Sequence, residues 1–450
     1  MSALRTIKNN AASPARLMAF EILQRMEESS AFASVLLATR AEELEPNDRG
    51  LCHELVMGVL RHRLWLDRLI AHYANREPER LDVAVRIALR LGLYQLRFLS
   101  RVPPSAAVNE SVKLVRVARL RSADSLVNAV LRRATREPEF NPLLALSDPI
   151  ERIAVETSHP AWLIQRWTRA FGIDEATAFA RANNLNPGIA FRIVRNRASE
   201  SEVIQSLGAA GISISPSPLS AGAWRAERSS NLLRQLALEG IVYTQDEASQ
   251  LVAHVLGAKE GERILDVCAA PGSKSTHIAD LTNDRAFIVS GDLHVHRLRT
   301  LSSIAGTQRL SSISAVNFDA LNGLPFAEAS FDRVLVDAPC TGTGTLQRNP
   351  EIRWRISPAD IEDLSARQIC ILLHASRMVK PGGRLVYSTC SVESEENEEV
   401  VKKFFEETTG FERLILPVSP SLISASGAAR IWPPKDGADG FFIAGFERRP

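Results

Sequence analysis

The sequence is poor in cysteine and contains no long apolar run. Its 450 residues include only five cysteines, at positions 52, 268, 340, 370 and 390, and no two of them form a CxxC pair. An odd, scattered set of this kind indicates neither a disulfide framework nor a zinc site, so no metal is expected. Apolar runs such as residues 440–446 fall far short of the roughly 18 residues that a membrane-spanning helix needs. Because residues 2–14 also lack an apolar signal core, we predict a cytoplasmic protein with no membrane partner.

Lysine is scarce in the N-terminal third of the chain, where arginine carries nearly all of the positive charge. Residues 1–140 hold 22 Lys+Arg and 16 Asp+Glu, a net +6, and the remaining 310 hold 32 and 36, a net −4. Lys8 and Lys113 are the lysines among the first 140 residues. Arginine binds phosphate through two parallel hydrogen bonds, so this excess favours a phosphate-rich partner such as RNA. A solvated helical surface would carry the same charges, and composition alone leaves both readings open.

Apolar spacing predicts an all-α domain over residues 1–145. Ile87, Leu91, Tyr94 and Phe98 fall at i, i+4, i+7 and i+11, which places them on one helix face. Two consecutive prolines at 103–104 break the helical pattern, and Ser105 is predicted to cap the next helix.

Two further domains are predicted after this helical one. Residues 146–238 begin as helices, but β-branched residues between Pro and Gly at 188–194 and 211–215 indicate a small α+β linking module. Over residues 239–450, short apolar strands alternate with helical stretches, which predicts an α/β, Rossmann-like domain with a parallel, doubly wound sheet. The predicted strands are 263–267, 286–290, 313–317, 333–336 and 383–388.

A loop of small residues follows the first of these strands. It contains Cys268, Ala269, Ala270, Pro271, Gly272, Ser273 and Lys274. Open α/β sheets bind ligands at the carboxyl ends of their strands, and small residues let the backbone approach a ligand such as the amino-acid portion of S-adenosylmethionine. Neither the GxxxxGK[ST] nor the GxGxxG spacing fits. A strand-to-helix turn needs small residues in any case, so the loop alone is weak evidence.

Aspartates follow the next two predicted strands. Asp292 is placed to bind both ribose hydroxyls of a nucleoside, and Asp319 to accept a hydrogen bond from the adenine amino group. A single aspartate after a strand is usually a turn former or a helix cap. Suitable residues at three successive strand ends favour a cofactor site. Arg297 and Asp337 are also predicted to bind the cofactor.

Cysteines follow the fourth and fifth strands. Asp337 and Cys340 come after the fourth strand and Cys390 after the fifth, so they are expected at the same sheet edge as the cofactor loop. Cytosine is methylated at carbon 5 only after a thiolate has added to carbon 6, and a second thiol on the same ring could serve a later step. The alternative for any cysteine is a small buried apolar residue, the reading that we favour for Cys52 and Cys370 and also for Cys268, whose backbone would matter more than its sulfur.

Three motifs together resemble the RNA cytosine-5 methyltransferases. They are Cys-Ala-Ala-Pro-Gly-Ser-Lys at 268–274, Asp-Ala-Pro-Cys-Thr-Gly-Thr-Gly at 337–344 and Tyr-Ser-Thr-Cys-Ser at 387–391. Arg430 with Asp-Gly-Phe-Phe at 439–442 is similar to that family's last motif. Residues 49–61, 102–105 and 128–133 resemble a NusB-type RNA-binding domain, and residues 158–163 and 245–249 fit a linking module that also binds RNA. Nearly the whole chain is thereby identified with the RsmB (Sun/Fmu) family.

This resemblance implies the methylation of cytosine 967 of 16S ribosomal RNA with S-adenosylmethionine. Cys390 would attack carbon 6, Asp337 would hydrogen-bond the pyrimidine edge, Cys340 would assist removal of the carbon 5 proton, and Lys274 would hold the reacting groups. In related DNA enzymes the Pro-Cys cysteine is the nucleophile, so Cys340 is the alternative for that role. The chain departs from the family pattern at Ser273, Thr341 and Glu351, none of which removes a reacting group.

Other functions remain open from the sequence. The catalytic motifs suit a cytosine-5 methyltransferase of transfer RNA equally well, and a non-catalytic RNA-binding factor for ribosome assembly or transcription is a third reading. The retained Asp337, Cys340 and Cys390 argue against the last. We expect a monomer whose substrate is 16S ribosomal RNA, either free or within the assembling small subunit.

Overall fold

Helices fill the N-terminal part of the chain, as its apolar spacing predicts. In the computed structural model, which describes residues 12–29 and 31–450, they are α1 (Pro14–Glu28), α2 (Ala33–Arg40), α3 (Pro46–Arg61), α4 (Arg63–Ala74), α5 (Val83–Phe98), α6 (Pro104–Val117), α7 (Asp124–Arg136), α8 (Pro149–Thr157), α9 (Ala161–Phe171) and α10 (Ile173–Ala182). Residues 1–11 and Ser30 lie outside the described residues. Residues 1–11 include Lys8 and most of the stretch that is predicted to lack an apolar signal core.

The predicted apolar stripe lies on α5. Ile87, Leu91 and Tyr94 are buried in the helical core, whereas Phe98, the last residue of α5, is 39% exposed. The prediction that Ser105 caps the next helix is wrong, because α6 already begins at Pro104. Proline suits the first helical position, where its missing N–H would have no partner within the helix.

A short segment from the C-terminal half also belongs to this helical unit. The unit comprises the described residues up to Leu185 together with Leu346–Arg355, which includes a short helix over Ile352–Arg355. Arg353 is fully buried and donates to the carbonyl oxygen of Thr157 at 3.3 Å, and Glu351 accepts a 2.7 Å hydrogen bond from the backbone N–H of Ala33. These contacts fix the segment inside the helical unit.

The second unit begins at Asn186 with the β-containing part of the predicted α+β module, whose first helices, over residues 149–182, belong to the first unit. The elements of this part are β1 (Ile189–Ile193), α11 (Glu200–Ala209), β2 (Ile214–Pro216), β3 (Ala223–Ala226), α12 (Asn231–Leu238) and β4 (Val242–Thr244). The strands form an antiparallel sheet in the order β2-β3-β1-β4. The sequence predicts β1 and β2 and misses β3 and β4.

A large sheet with flanking helices forms the rest of the second unit. Its elements are α13 (Glu247–Leu256), β5 (Arg263–Asp266), α14 (Ser273–Leu281), β6 (Phe287–Asp292), α15 (Val295–Thr307), β7 (Ile313–Asn317), β8 (Phe331–Asp337), α16 (Pro358–Met378), β9 (Val379–Thr389), α17 (Glu398–Glu407), β10 (Phe411–Arg413), β11 (Ala429–Ile431), α18 (Pro433–Asp436) and β12 (Phe441–Arg448). The strand order is β10-β12-β9-β8-β5-β6-β7, and β11 pairs with β12. The five predicted strands are parallel, but β10, β11 and β12 add an antiparallel edge, so the sheet is mixed.

Both faces of this sheet are buried, which explains why its central strands are almost continuously apolar. Ile264 and Leu335 point into one core, which α13, α14 and α15 cover, and Leu265 and Val334 point into the other, which α16 and α17 cover. Successive strand residues alternate between faces, so a strand with helices on both sides needs apolar residues at every position. Among the described residues, no helix is both long and apolar enough to span a membrane.

Candidate active site

A cleft of about 390 Å³ lies at the carboxyl ends of β5, β6 and β8, beside the loop after β9. It brings together most of the residues that the sequence predicts for the site. The predicted residues that line it are Cys268, Ala270, Asp292, Arg297, Asp319, Asp337, Cys340 and Cys390. The predicted residues outside its lining are Ala269, Pro271, Gly272, Ser273 and Lys274.

The small-residue loop after β5 is held close to the neighbouring strand and helix. The backbone N–H of Ala269 donates to the carbonyl oxygen of Gly291 at 2.7 Å. Gly272 has φ +112°, and a Cβ at this position would lie 2.8 Å from the side chain of Leu301. Only glycine combines this backbone conformation with this close approach, so the loop can turn directly into α14.

The two aspartates at the next strand ends make local turn contacts and also face the cleft. Asp292 is buried, accepts a hydrogen bond from the backbone N–H of His294 at 2.8 Å, and pairs with Arg297 at 3.1 Å. Asp319 accepts a 2.9 Å hydrogen bond from the backbone N–H of Leu321. Each of these aspartates can therefore stabilise its turn and still bind a ligand. His294, the N-cap residue of α15, also lines the cleft.

The lining of the cleft has the chemistry that an adenosyl group with an amino-acid chain requires. Carboxylates in the lining can accept from ribose hydroxyls and an amino group, and Phe318, Leu321 and Ile371 supply apolar surface for a base. These residues fit S-adenosylmethionine.

Asp337 stands between two donors at the end of β8. Lys274 Nζ donates to Oδ2 at 2.6 Å, and Ser388 Oγ, from β9, donates to Oδ1 at 2.8 Å. Burial lowers the pKa of Lys274, but the charge of Asp337 and its hydrogen bond, with the charge of Cys390, raise it above its ordinary value. The Lys274 ammonium also lies 5.3 Å from the ring centroid of Phe441, a contact that favours its cationic form. The sequence gives no role to Ser388 and groups Phe441 only with the last motif.

The two motif cysteines are neighbours. Cys340 Sγ lies 3.4 Å from Cys390 Sγ, although the loops that carry them follow different strands. The hydrogen bond with Cys390 and burial, together with the charges of Cys390 and Glu396, raise the pKa of the Cys340 thiol well above its usual range. Two thiols at this distance can act on the same small ring.

Backbone contacts fix the loop that follows Cys340. Gly344 donates its N–H to the carbonyl oxygen of Cys390 at 2.9 Å and accepts at 2.8 Å from the N–H of Gly440. A Cβ on Gly344 would lie 2.0 Å from the carbonyl oxygen of Gly440, which leaves no space for a side chain. The last motif therefore packs against the cysteine loop. Arg430 lies apart from the cleft lining and binds Glu398 at 2.7 Å.

A buried carboxylate that the sequence does not single out also belongs to the cysteine loops. Glu396 accepts a 2.9 Å hydrogen bond from the backbone N–H of Thr341, the residue after Cys340. Cys52 is fully buried in the helical core and Cys370 lies on α16, outside the cleft lining. The burial of Cys52 agrees with the packing role that the sequence favours, whereas Cys370 is only partly buried.

Comparison with known proteins gives the family. Residues 253–447 match the model of the 16S rRNA methyltransferases RsmB/F, residues 13–136 that of the NusB family, and residues 159–232 that of the ferredoxin-like domain of RsmF/B-like methyltransferases. The chain is 35% identical to the probable ribosomal RNA small subunit methyltransferase B of Bacillus subtilis, over 96% of this chain and 98% of that protein. It is 34% identical to the ribosomal RNA small subunit methyltransferase B of Pseudomonas putida, over 95% and 97%. The solved structure of PH0851 superposes with a TM-score of 0.84 and 27% identity, over 97% of this chain and 99% of that one. The chain therefore belongs to the RsmB/F family of 16S rRNA methyltransferases, with a NusB-type N-terminal domain.

Proposed function

We propose that the protein methylates carbon 5 of a cytosine in 16S ribosomal RNA, at the family target cytosine 967, through a covalent bond between Cys390 and carbon 6. The observation that carries this proposal is the 3.4 Å separation of Cys340 Sγ and Cys390 Sγ beside the carboxylate of Asp337. S-adenosylmethionine supplies the methyl group when it is bound in the cleft.

Cys390 is the proposed nucleophile. Its thiolate would add to carbon 6 and turn the aromatic ring into an enamine with a nucleophilic carbon 5. The interaction with Cys390 contributes to the raised pKa of Lys274, so this lysine is held as a cation near the nucleophile. Once carbon 5 has taken the methyl group, the thiolate of Cys340 would take the proton from carbon 5, so that the carbon 5–carbon 6 double bond forms again and the sulfur of Cys390 leaves with its electron pair.

Asp337 is proposed to bind the pyrimidine edge. Its two oxygens each accept one hydrogen bond from the chain, from Lys274 and from Ser388. A carboxylate offers about four acceptor sites, so both oxygens retain capacity for the exocyclic amine and a protonated N3 of cytosine. Hydrogen bonds at this edge would stabilise the charge that develops as the thiolate adds.

Mapping of 5-methylcytosine tests the reaction and the substrate together. In a strain that lacks the gene, bisulfite sequencing is expected to show loss of one modified cytosine in 16S ribosomal RNA. The wild-type gene should restore it and a Cys390→Ala gene should not. Loss of a modified cytosine in transfer RNA instead would identify the alternative substrate, and an unchanged pattern in all RNA would refute the methyltransferase proposal.

We predict that Asp292→Ala weakens the binding of S-adenosylmethionine without unfolding the protein. A buried ribose would lose a charge-assisted acceptor, at a cost of about 1.5–3 kcal/mol. Affinity measured by calorimetry should drop by roughly one to two decades. Asp284→Ala is a matched control, because Asp284 binds the backbone and hydroxyl of Ser311 and lies outside the cleft lining. Unchanged affinity in a folded Asp292→Ala protein would remove Asp292 from the proposed site.

Exposed arginines make the helical unit a proposed RNA-binding arm. They cluster on and beside α6 and α7, and the exposed members are Arg101, Arg116, Arg119, Arg121, Arg132 and Arg136. Arg116 pairs with Asp124, whereas Arg119 and Arg121 extend from the connection between the two helices and have no carboxylate partner among the described residues. Such side chains are suited to phosphate contacts.

We predict that Arg119→Gln/Arg121→Gln weakens RNA binding in a salt-dependent manner. Loss of two phosphate contacts should lower the slope of log affinity against log salt by roughly 1.4 for single-stranded RNA. Filter binding at several salt concentrations would measure it. Arg285→Gln is the control, since Arg285 is exposed but pairs with Glu260 in the second unit. Equal slopes for the double variant and the wild type would show that these arginines do not contact RNA.

A further inference from the structure

The sulfurs of Cys340 and Cys390 are close enough to be joined by a small movement. Their separation is 3.4 Å, and a disulfide bond is about 2.0 Å long, so the bond requires the two sulfurs to approach each other by about 1.4 Å. Rotation about the Cα–Cβ bond of either cysteine moves its sulfur while the backbone stays in place. The two thiols are therefore a candidate disulfide pair.

The backbones that carry the two cysteines are hydrogen-bonded to each other. The N–H of Ala338 donates to the carbonyl oxygen of Ser388 at 2.9 Å, two residues before each cysteine. After Cys340, the N–H of Gly344 donates to the carbonyl oxygen of Cys390, also at 2.9 Å. Both loops leave neighbouring parallel strands, β8 and β9, and such strands lie about 4.8 Å apart. The loops thus start within the Cα separation of about 4.4–6.8 Å that a disulfide spans.

Side-chain contacts keep the two loops from separating. Thr341 and Ser391, which directly follow the two cysteines, have hydroxyl oxygens 3.2 Å apart. Gln368 Nε2, from α16, donates at 2.9 Å to the carbonyl oxygen of Pro339, which precedes the first cysteine. Because both loops are fixed, each thiol meets the other at a high effective concentration, which favours a bond within the pair over reaction with a second molecule.

Small reagents can reach this pair. Cys340 and Cys390 are each partly exposed, and both line the cleft at the carboxyl ends of the strands. Cys370 is partly exposed as well, but it lies outside the cleft lining and its sulfur contacts His374 Nδ1 at 3.9 Å. The pair thus combines access with a neighbouring thiol, whereas Cys370 offers access without one.

We propose that Cys340 and Cys390 are a site of reversible oxidation, at which a hydroperoxide converts the two thiols into one disulfide bond. One sulfur attacks the peroxide, the O–O bond breaks, and the products are a sulfenic acid and water or an alcohol. The other thiol then attacks the sulfenic sulfur. The S–S bond forms as the S–O bond breaks, and the oxygen leaves as water with the proton of the attacking thiol. Both cysteines are oxidised, the peroxide is reduced, and thiol exchange reverses the bond.

The disulfide would suspend catalysis and protect the sulfurs. It engages Cys390 and Cys340 at once, so neither nucleophilic attack nor removal of the carbon 5 proton is possible until the bond is reduced. Capture by the second thiol also competes with further oxidation to sulfinic acid, which simple thiols do not reverse. The meaning of this protection rests on the proposed function, but formation of the bond is a property of the protein without RNA or cofactor.

Peptide mapping of the oxidised protein tests the proposal. The reduced, full-length protein is freed of reductant, treated with hydrogen peroxide, blocked with N-ethylmaleimide and digested without reduction. Mass spectrometry is expected to find one peptide pair, joined through Cys340 and Cys390, with Cys52, Cys268 and Cys370 recovered mainly as maleimide adducts. The protein should remain monomeric on a non-reducing gel, and dithiothreitol should restore both thiols. Any other fate of the pair in the wild-type protein, such as two free thiols, a Cys390–Cys268 bond or sulfinic acid at Cys390, would overturn the proposal.

Two variants test the role of the second thiol. In Cys340→Ser, Cys390 lacks its partner, so peroxide should carry it to sulfinic acid and dithiothreitol should no longer restore its thiol. Cys370→Ser is the matched control, and it should form the Cys340–Cys390 bond as the wild type does. Equal recovery of the Cys390 thiol in a folded Cys340→Ser protein and in the wild type would refute the protective role. A failure to methylate 16S RNA would leave these peptide maps intact and count only against the proposed function.

Discussion

The largest expected effects concern the two cysteines. One variant should block formation of the covalent intermediate, and the other should block its breakdown. Cys390→Ala is expected to abolish methylation and any protein–RNA adduct, because no thiolate remains to add to carbon 6. Cys340→Ala should still allow attack and methyl transfer, yet leave the RNA attached to Cys390, because the proton on carbon 5 cannot be removed. The measurement is a slow-migrating, denaturant-resistant protein–RNA band in the Cys340→Ala protein that requires S-adenosylmethionine.

Two controls make this result specific. The Cys340→Ala/Cys390→Ala double variant should show no band, and Cys370→Ala should behave as the wild type because Cys370 lies outside the cleft lining. A band that survives the loss of Cys390, or one trapped by Cys390→Ala, would assign the attack to Cys340, as in the DNA enzymes.

The second large effect is expected for Asp337→Asn. The asparagine can still accept from Lys274 and can donate to Ser388 Oγ, so the local fold should persist, but the charge facing the pyrimidine is lost. Loss of one preorganised group that stabilises developing charge lowers kcat by roughly 10²–10³. Single-turnover transfer of a radiolabelled methyl group to a 16S RNA fragment would measure it.

A matched control lies on the same strand. Asp332 is also in β8 and also pairs with a lysine, Lys380, at 2.7 Å, but it lies outside the cleft lining. Asp332→Asn should therefore retain activity close to that of the wild type. If Asp337→Asn turns over as fast as this control, Asp337 does not stabilise the reaction.

The sequence predicted those helices and strands in which buried side chains recur at a constant spacing. The strand at 313–317 is predicted with its observed bounds, Ile313–Asn317, and the helical stripe of α5 follows its apolar period. The antiparallel edge was missed because residues 440–446 form a continuous apolar run without the alternation that marks a half-buried strand. Both faces of β12 are buried, with Phe441 and Ile443 in one core and Phe442 and Phe446 in the other, so the strand needs no polar face.

The site was predictable where a residue's position along a strand decides its role. Asp292, Asp337, Cys340 and Cys390 follow strands that the sequence reveals, and parallel strand ends share one sheet edge. Glu396 was not predictable in this way. It stands in an acidic run before α17, where negative residues are expected to favour the helix N-terminus, and its contact with Thr341 joins residues 55 positions apart.

The segment Leu346–Arg355 limits which fragments of this protein can be expected to keep their structure. A fragment that starts at residue 186 would keep this segment but remove the rest of the unit to which it belongs. The guanidinium of Arg353 would lose the carbonyl oxygens of Thr157, Ser158 and Asn183, all of which precede residue 186. The resulting loose decapeptide would begin only six residues after Cys340. Inactivity of such a fragment would therefore say nothing about RNA affinity, and surface point variants in the intact chain are the informative dissection.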